Sequence, residues 1–504
     1  MKKVFNFDEI DDLRKTIKRG KSVVLCHGVF DLVHIGHLKH FQSAKKLGDI
    51  LIVSLTKDEF INKGPGRPIF NHKIRAEYIL SFKNVDYVII NDFSTAVPLI
   101  KKLKPNIYCK GIDYKDARND LTLQIDNEKK AIESVKGKIR YTDELTSSSS
   151  LLINKFSQIF STEQKKNINF IKKETKKDTI SDFNKLSKLK VLVIGESIVD
   201  HYHFCEVLGK SGKDPILAVK ELYNERYAGG AAAIAGHLSS CCNSVTLLSV
   251  LGDKNNNKSF FEKVIPKKIK KIWLVKKKTP TIIKKRYIDT ISNNKILSTY
   301  NIDDRNLDSF EEKKLEEIIK RNIRNYDLVI VSDYGHGFLS KNITKLICKK
   351  SKYLALNAQI NAANRGYHTM KNYKNCNIVI INETELRHEM RDKNSDLKKL
   401  MKLLSFQLNI NDLIVTMGRS GSILFNKYSN NFFSCEAFAK NVVDKIGAGD
   451  AMLAMLSVCL RSGVPKRTSL LIGSLAAAQS VETIGNKKFV DFQKIKKFFY
   501  HILK

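Results

Sequence analysis

His34 and His37 lie in the run VVLCHGVFDLVHIGHLKHF, where a β-rich stretch passes through Gly28 into a helical pattern beginning near His37. Paired imidazole donors beside a helix N-terminus can stabilise the charge that builds on phosphate oxygens when the phosphorus is attacked, without a covalent intermediate. Gly36 allows a phosphate to come close to the backbone. In the second half, NVVDKIGAGDAMLAML (441–456) places Gly447, Ala448 and Gly449 at the start of another helix, with Asp450 on its first turn. Backbone N–H groups exposed there make an anion hole for a transferring phosphoryl group. The Asp450 carboxylate stands where it can take the proton of an attacking hydroxyl. Each pattern alone has a plainer reading: polar surface for the histidines, dipole compensation for the aspartate.

Further segments add to each. KGPGR (63–67) is a Gly/Pro loop with two cations. KGIDY (110–114) follows the apolar run Ile107–Cys109, which puts Lys110 near a strand's carboxyl end, where open α/β sheets bind ligands. SSSSLLI (147–153), with Ser148 and Ser149, offers hydroxyls and N–H groups ahead of a helix. In the second half, NETE follows the strand-like IVII, so Asn382 and Glu385 form an amide–carboxylate pair suited to Mg²⁺ held through water. VIGESIVDHY carries Asp200, AGGAAAIAG (228–236) carries Gly229 and Gly230, and TMGRSG (416–421) carries Gly418 and Gly421; SDYGHG spans 332–337. No GxxxxGK[ST] occurs, which excludes P-loop phosphoryl transfer.

The elements that must position these residues read as strands alternating with helices in both halves. Ser22–Cys26, Ile50–Leu55 and Tyr87–Ile90 are strand-like in the first half, with helical patterns over His37–Leu47 and Lys73–Phe82. Lys190–Ile194, Val245–Val250, Leu328–Ser332, Ile378–Ile381 and Leu413–Thr416 repeat the grammar, with helices over Ala231–Ser239 and Asp450–Leu460. The expected fold class is α/β, with two doubly wound parallel-sheet domains over residues 1–155 and 188–504. Residues 156–187, rich in Lys, Asn, Ser and Thr, are the expected linker, with a helix inside it.

The chain has 504 residues and an apolar share of 42%, enough for full cores and too much for a disordered chain. Apolar runs fall short of a membrane span, and the acidic start MKKVFNFDEIDDL lacks a signal peptide's apolar stretch, so a soluble cytoplasmic protein is expected. The nine cysteines show no CxxC pair and no spacing with His that suits zinc, and are expected to be reduced, mostly buried small hydrophobes. The net charge of +36 is spread along the chain, and Lys outnumbers Arg about four to one, unlike a base reader. No nucleic-acid or membrane partner is expected, although a positive field would attract phosphorylated substrates.

Residues 20–155 resemble the cytidylyltransferase-like nucleotidyltransferases, through HxGH, the lysine-containing KGIDY and the late serine run. The resemblance implies that His34 and His37 stabilise the transition state. It places Lys110, Arg75, Ser148 and Ser149 on the triphosphate, and Gly28 and Phe30 in the nucleotide pocket. Residues 188–504 resemble the ribokinase-like (phosphofructokinase-B type) carbohydrate kinases through GAGD, NETE, SDYGHG, TMGRSG and the Gly-rich AGGAAAIAG. That resemblance implies Asp450 as base, Gly447, Ala448 and Gly449 as anion hole, and Asn382 and Glu385 around Mg²⁺. Asp200, Gly229 and Gly230 would face the sugar, and Gly418 and Gly421 the nucleotide.

Together the halves resemble the bifunctional bacterial enzymes of ADP-heptose synthesis, which implies ATP, Mg²⁺ and a sugar phosphate as ligands, with a homodimer as one assembly open to it. Four features depart from that pattern. The order, transferase first, is the reverse of the order expected for the family. Ala233 stands where GGAAN has Asn, NAQINAANRGYH (357–368) replaces an Asp-Pro-Lys segment, and Lys445 replaces a Thr. One lost polar contact to a sugar hydroxyl costs about 1–3 kcal/mol, enough to change substrate preference. The same two activities on another sugar or polyol phosphate, with CTP, are the alternative within enzymes. A basic nucleic-acid binder with one decayed catalytic half is the alternative from another class.

Overall fold

The computed structural model describes residues 3–61, 67–112, 124–142, 160–174, 179–439 and 441–503. The chain divides into two compact units, Met1–Lys165 with Lys494–Lys504, and Lys166–Gln493. The division falls inside the stretch expected as a linker, and that stretch carries two helices, Thr162–Glu174 and Thr179–Leu186. Among the described residues, no helix is long and apolar enough to cross a membrane.

In the first unit, β1 (Lys3–Asn6), β2 (Val23–Gly28), β3 (Ile50–Thr56), β4 (Tyr87–Asn91), β5 (Ile107–Gly111) and β6 (Lys138–Thr142) form one sheet. The strand order is β1-β4-β3-β2-β5-β6, with every pairing parallel. Both faces of such a sheet must be covered, which is why VVLC is a continuous apolar run. Val23 and Leu25 join the core made with the helices Ile10–Thr16, Val97–Leu103 and Ile125–Ser134. Val24 and Cys26 face the other way, onto the helices Ile35–Lys45 and His72–Leu80. From β2 the chain winds outward through β3 and β4, then returns to β5 on the other side of β2. That reversal opens a crevice at the carboxyl ends of β2 and β5, the binding position of open α/β sheets.

The second unit contains β7 (Lys190–Lys210), β8 (Leu217–Gly230), β9 (Ser244–Lys254), β10 (Lys270–Pro280), β11 (Ile283–Asp289) and β12 (Lys295–Asn301). It continues with β13 (Leu328–Asp333), β14 (Leu354–Ala358), β15 (Ile378–Asn382), β16 (Asp412–Thr416), β17 (Ser422–Asn426) and β18 (Asn431–Cys435). The main sheet runs β10-β9-β7-β13-β14-β15-β16-β17-β18, parallel as far as β16 and antiparallel beyond it. One face carries the helices Ser309–Asn322, Lys341–Lys350, Glu383–Met390 and Leu397–Leu408. Helix Ala448–Arg461, buried without a break from Ala451 to Cys459, packs on β13, β14 and β15.

The apolar run predicts a strand over Lys190–Ile194 only. The strand instead continues past Glu196, pairing antiparallel with β8 and parallel with β11, which pairs in turn with β12. These four strands build a second layer that begins at Ser197, where β7 takes up β8. Their charge-rich sequence, such as KELYNERY in β8, conceals a strand because neither face is continuously buried.

Candidate active sites

In the first unit, His34 is the N-cap of helix Ile35–Lys45. Its Nδ1 accepts from the Gly36 N–H at 3.1 Å, while its own N–H donates to His37 Nδ1 at 3.3 Å. The two imidazoles thus form a reciprocal capping box, with ring centroids 4.1 Å apart. A ring nitrogen that accepts from a backbone N–H carries no proton, so both rings are held in the tautomer protonated at Nε2. Two Nε2–H donors at a helix N-terminus, in the crevice of β2 and β5, suit an anionic phosphate. Burial lowers the His34 pKa, keeping that ring neutral.

Gly28 ends β2, and the Phe30 ring lies over it: a Cβ at Gly28 would come within 2.9 Å of Phe30 Cζ. Phe30 is in the left-handed region (φ 50°), with its ring in the core beside His37 and Phe41. Lys110, at the carboxyl end of β5, is buried and paired with Glu128 at 3.1 Å; the Tyr108 hydroxyl donates to the same oxygen at 3.0 Å. Burial opposes ionisation of Glu128, yet Lys110 beside it holds the carboxyl below its ordinary value. Burial, with Lys110 nearby, pushes His27 down to about 4, so it stays neutral. Glu128 had no motif to mark it, and His27 stands in the opening run without having been singled out there.

Arg75 has a role other than the triphosphate contact that the resemblance implied. It is 1% exposed, and its N–H groups donate to the Phe70, Val29 and Thr56 carbonyls and to Asp58. The guanidinium clamps the loop after β2 to the end of β3. Arg67, the end of KGPGR, pairs with the buried Asp31 at 2.8 Å. Ser148, Ser149 and residues 63–66 lie outside the described residues.

In the second unit, Gly447 (φ 88°) caps helix Ala448–Arg461, and a Cβ there would meet the Asn486 side chain at 2.4 Å. A Cβ at Gly449 would meet nothing, so the helix start opens outward there. Asp450 accepts from the Tyr334 hydroxyl at 2.9 Å. Burial raises its pKa to about 7; Asp200 adds to the rise, while Tyr334 and Lys284 restrain it. That value suits a general base at neutral pH.

Asp200, buried at the turn of β7 into the second layer, is ion-paired with Arg286 of β11. A Cβ at Gly229 would come within 2.2 Å of the Asp200 carboxylate, and one at Gly230 (φ 62°) within 2.3 Å of the Glu196 carbonyl. Glycine at both positions is what lets the end of β8 close against β7. Lys284, also buried, lies 5.3 Å from the Tyr334 ring centre. Glu196 accepts from the Tyr334 and His336 N–H groups at 3.0 and 3.1 Å and holds the SDYGHG loop. Glu196 stands in VIGESIVDHY but was not singled out there; Lys284 and Arg286 had no motif and sit in an ordinary basic run, KKRY.

Asn382 and Glu385 form a capping box at the start of helix Glu383–Met390. Glu385 Oε2 accepts from the Asn382 N–H at 2.8 Å, and Asn382 Oδ1 from the Glu385 N–H at 2.8 Å. Glu385 Oε1 accepts from the Ile360 N–H at 3.2 Å, and burial raises its pKa to about 7. With Gly418, Thr416 and Glu383 this pair lines a cleft of about 380 Å³. Gly421 (φ 87°) closes the β16–β17 turn instead, where a Cβ would meet the Cys435 carbonyl at 2.1 Å. The replacing segment 357–368 turns its amides inward: Asn361 and Asn364 both donate to the Tyr334 carbonyl, at 2.9 and 2.8 Å. Ala233 is fully buried in helix Ala231–Leu238, and Lys445 is exposed.

The second unit's layered sheet with helix-borne GAGD is a carbohydrate-kinase architecture, and the chain belongs to the pfkB family of carbohydrate kinases, whose profile matches residues 188–491. A cytidylyltransferase-like profile matches residues 25–216, so the α/β transferase-type domain precedes the kinase domain. The reversal of order relative to the family, expected from sequence, is not a finding of these matches. Bifunctional protein HldE of Campylobacter jejuni subsp. jejuni serotype O:6 is 29% identical over 321 residues, 63% of this chain and 66% of that protein. The chain thus spans just under two thirds of that relative's length. The protein of the same name from Syntrophotalea carbinolica is 42% identical over 106 residues, 21% of this chain and 22% of that one. Among solved structures, phosphofructokinase-2 from Escherichia coli in complex with potassium superposes with a TM-score of 0.51 at 12% identity, covering 62% of this chain and 99% of that one. At that identity the likeness is one of fold.

Proposed function

We propose that the chain is a bifunctional transferase. In this reading the second unit phosphorylates a sugar phosphate with ATP, and the first joins a nucleotidyl group to a sugar 1-phosphate, releasing pyrophosphate. The substrate that best suits the combined resemblance is a heptose 7-phosphate, phosphorylated at its anomeric hydroxyl to the 1,7-bisphosphate; hydrolysis of the 7-phosphate by a separate phosphatase then leaves the heptose 1-phosphate that the first unit converts to ADP-heptose. The relatives named bifunctional protein HldE support the pairing. The observation that carries the reading is the presence in one chain of two differently built anion sites. One is the His34–His37 capping box; the other is the GAGD helix start with Asp450 under the Tyr334 hydroxyl.

In the kinase unit, Asp450 would take the proton of the attacking hydroxyl while the N–H groups of Gly447–Gly449 face the transferring phosphoryl group. Asp200 and Arg286 would orient the sugar from the second layer. Both oxygens of Glu385 already accept backbone N–H groups, so Asn382 and Glu385 would hold Mg²⁺ through water rather than directly. The ion supplies charge neutralisation on the nucleotide phosphates. In the first unit, the two Nε2–H groups and Lys110 would meet the charge at the α-phosphate.

The test is an ATP-consumption screen over sugar phosphates with mass spectrometry of the products, alongside pyrophosphate release from sugar 1-phosphates with ATP or CTP. Heptose 7-phosphate-dependent ADP formation and ADP-heptose from heptose 1-phosphate are expected. Turnover confined to another sugar, or to CTP, would overturn the heptose and adenylyl assignments, and no turnover at all would overturn the proposal.

A further inference from the structure

Cys26, His40 and Cys109 converge in the first unit, with one potential ligand atom from each lying within 4.8 Å of the other two. Cys26 on β2 and Cys109 on β5 are register partners on adjacent parallel strands, so their side chains share a face. Helix Ile35–Lys45 packs on that face and supplies His40. Both thiols are fully buried. The Thr142 hydroxyl of β6, 2.6 Å from His40 Nδ1, orients the ring through the kind of hydrogen bond that ligating imidazoles make.

We propose that Cys26, Cys109 and His40 form a binding site for a thiophilic cation of the Zn²⁺ class. Two thiolates and an imidazole select zinc-like ions over Mg²⁺ or Ca²⁺, which take oxygen ligands. Tetrahedral zinc, with bonds of about 2.3 Å to sulfur and 2.0–2.1 Å to nitrogen, needs its donors roughly 3.5–3.8 Å apart. The three donors therefore need only a small closure, with water as the fourth ligand.

The site lies beneath the transfer crevice. His40 is one turn after His37, Cys26 precedes Gly28 by two residues, and Cys109 adjoins Lys110. A bound ion would tie together the three elements that carry those groups. Because the ligands come from two strands and a helix, the cysteine spacings give no sign of the site, and for Cys26 and Cys109 a ligand role replaces that of small hydrophobes.

The test uses the purified full-length chain, treated with chelator under reducing conditions and titrated anaerobically with Co²⁺, then Zn²⁺. One equivalent of Co²⁺ should produce a thiolate-to-cobalt charge-transfer band with tetrahedral ligand-field bands, both abolished by Zn²⁺. Cys26→Ala and Cys109→Ala should lose the charge-transfer band. Cys459→Ala, a buried cysteine of the other unit, should keep it, and circular dichroism checks that each variant is folded. His40→Ala keeps both thiols, and should weaken Co²⁺ binding at least about tenfold. A wild-type spectrum without the thiolate band, a spectrum unchanged in folded Cys26→Ala or His40→Ala, or a Cys26–Cys109 disulfide forming in place of metal binding would overturn the proposal.

Discussion

A neutral imidazole can carry its proton on either nitrogen, and the capping box decides the matter for His34 and His37. Each Nδ1 receives a backbone N–H, so each Nε2 keeps a proton to donate. His37→Ala should therefore lower nucleotidyl transfer about 10²–10³-fold, the effect of one lost preorganised donor. Sugar-dependent ADP formation should stay within about twofold, because Asp450 and its partners belong to the other unit. Pyrophosphate release near the wild-type rate would remove the histidines from the chemistry. Acid should weaken the same arrangement. Burial holds the His34 pKa below its ordinary value, so its contribution is present above the unfolded-state pKa and is lost as pH falls through the folded one.

At the scale of elements, β13 and helix Ala448–Arg461 cooperate through one hydrogen bond, from the Tyr334 hydroxyl just past β13 to Asp450 on the helix's first turn. Burial raises the Asp450 carboxyl pKa, and with that bond restraining the rise it stands at about 7. If Asp450 must be ionised to act, the kinase rate rises with pH through that region and then levels. Tyr334→Phe removes the restraint, so the acid limb of the kcat–pH profile should shift to higher pH while the fold is kept. An unmoved limb, measured across about pH 5.5–9, would mean that Asp450 does not control it.

The elements that were legible in the sequence are those buried on both faces. VVLC, ILIVSL, LVIVS and IVII became β2, β3, β13 and β15, and the apolar stretch after GAGD became the long buried helix. The second-layer strands β8, β11 and β12 were not, because a half-exposed strand carrying Lys and Glu has no run of apolar residues to betray it. The same limit applies to the sites. His34, His37 and Asp450 stand in dense local patterns, whereas Glu128, Lys284 and Arg286 reach the sites only through tertiary pairing. Arg75 carried no local sign that its donors would be taken up by backbone carbonyls.

The two proposed catalytic centres lie in two separately built units, within a chain whose net charge of +36 would attract phosphorylated substrates. The most direct test is Asp450→Asn in the full-length chain, assayed for sugar-dependent ADP formation and for pyrophosphate release from ATP with the sugar 1-phosphate. Asn keeps the size and most of the hydrogen bonding but cannot accept the proton. Kinase kcat should fall about 10²–10⁴-fold with KM for ATP little changed, while nucleotidyl transfer stays at the wild-type rate. A kinase rate above about a tenth of wild type would make the carboxylate structural, and a parallel loss of both activities would contradict the separation of the two centres.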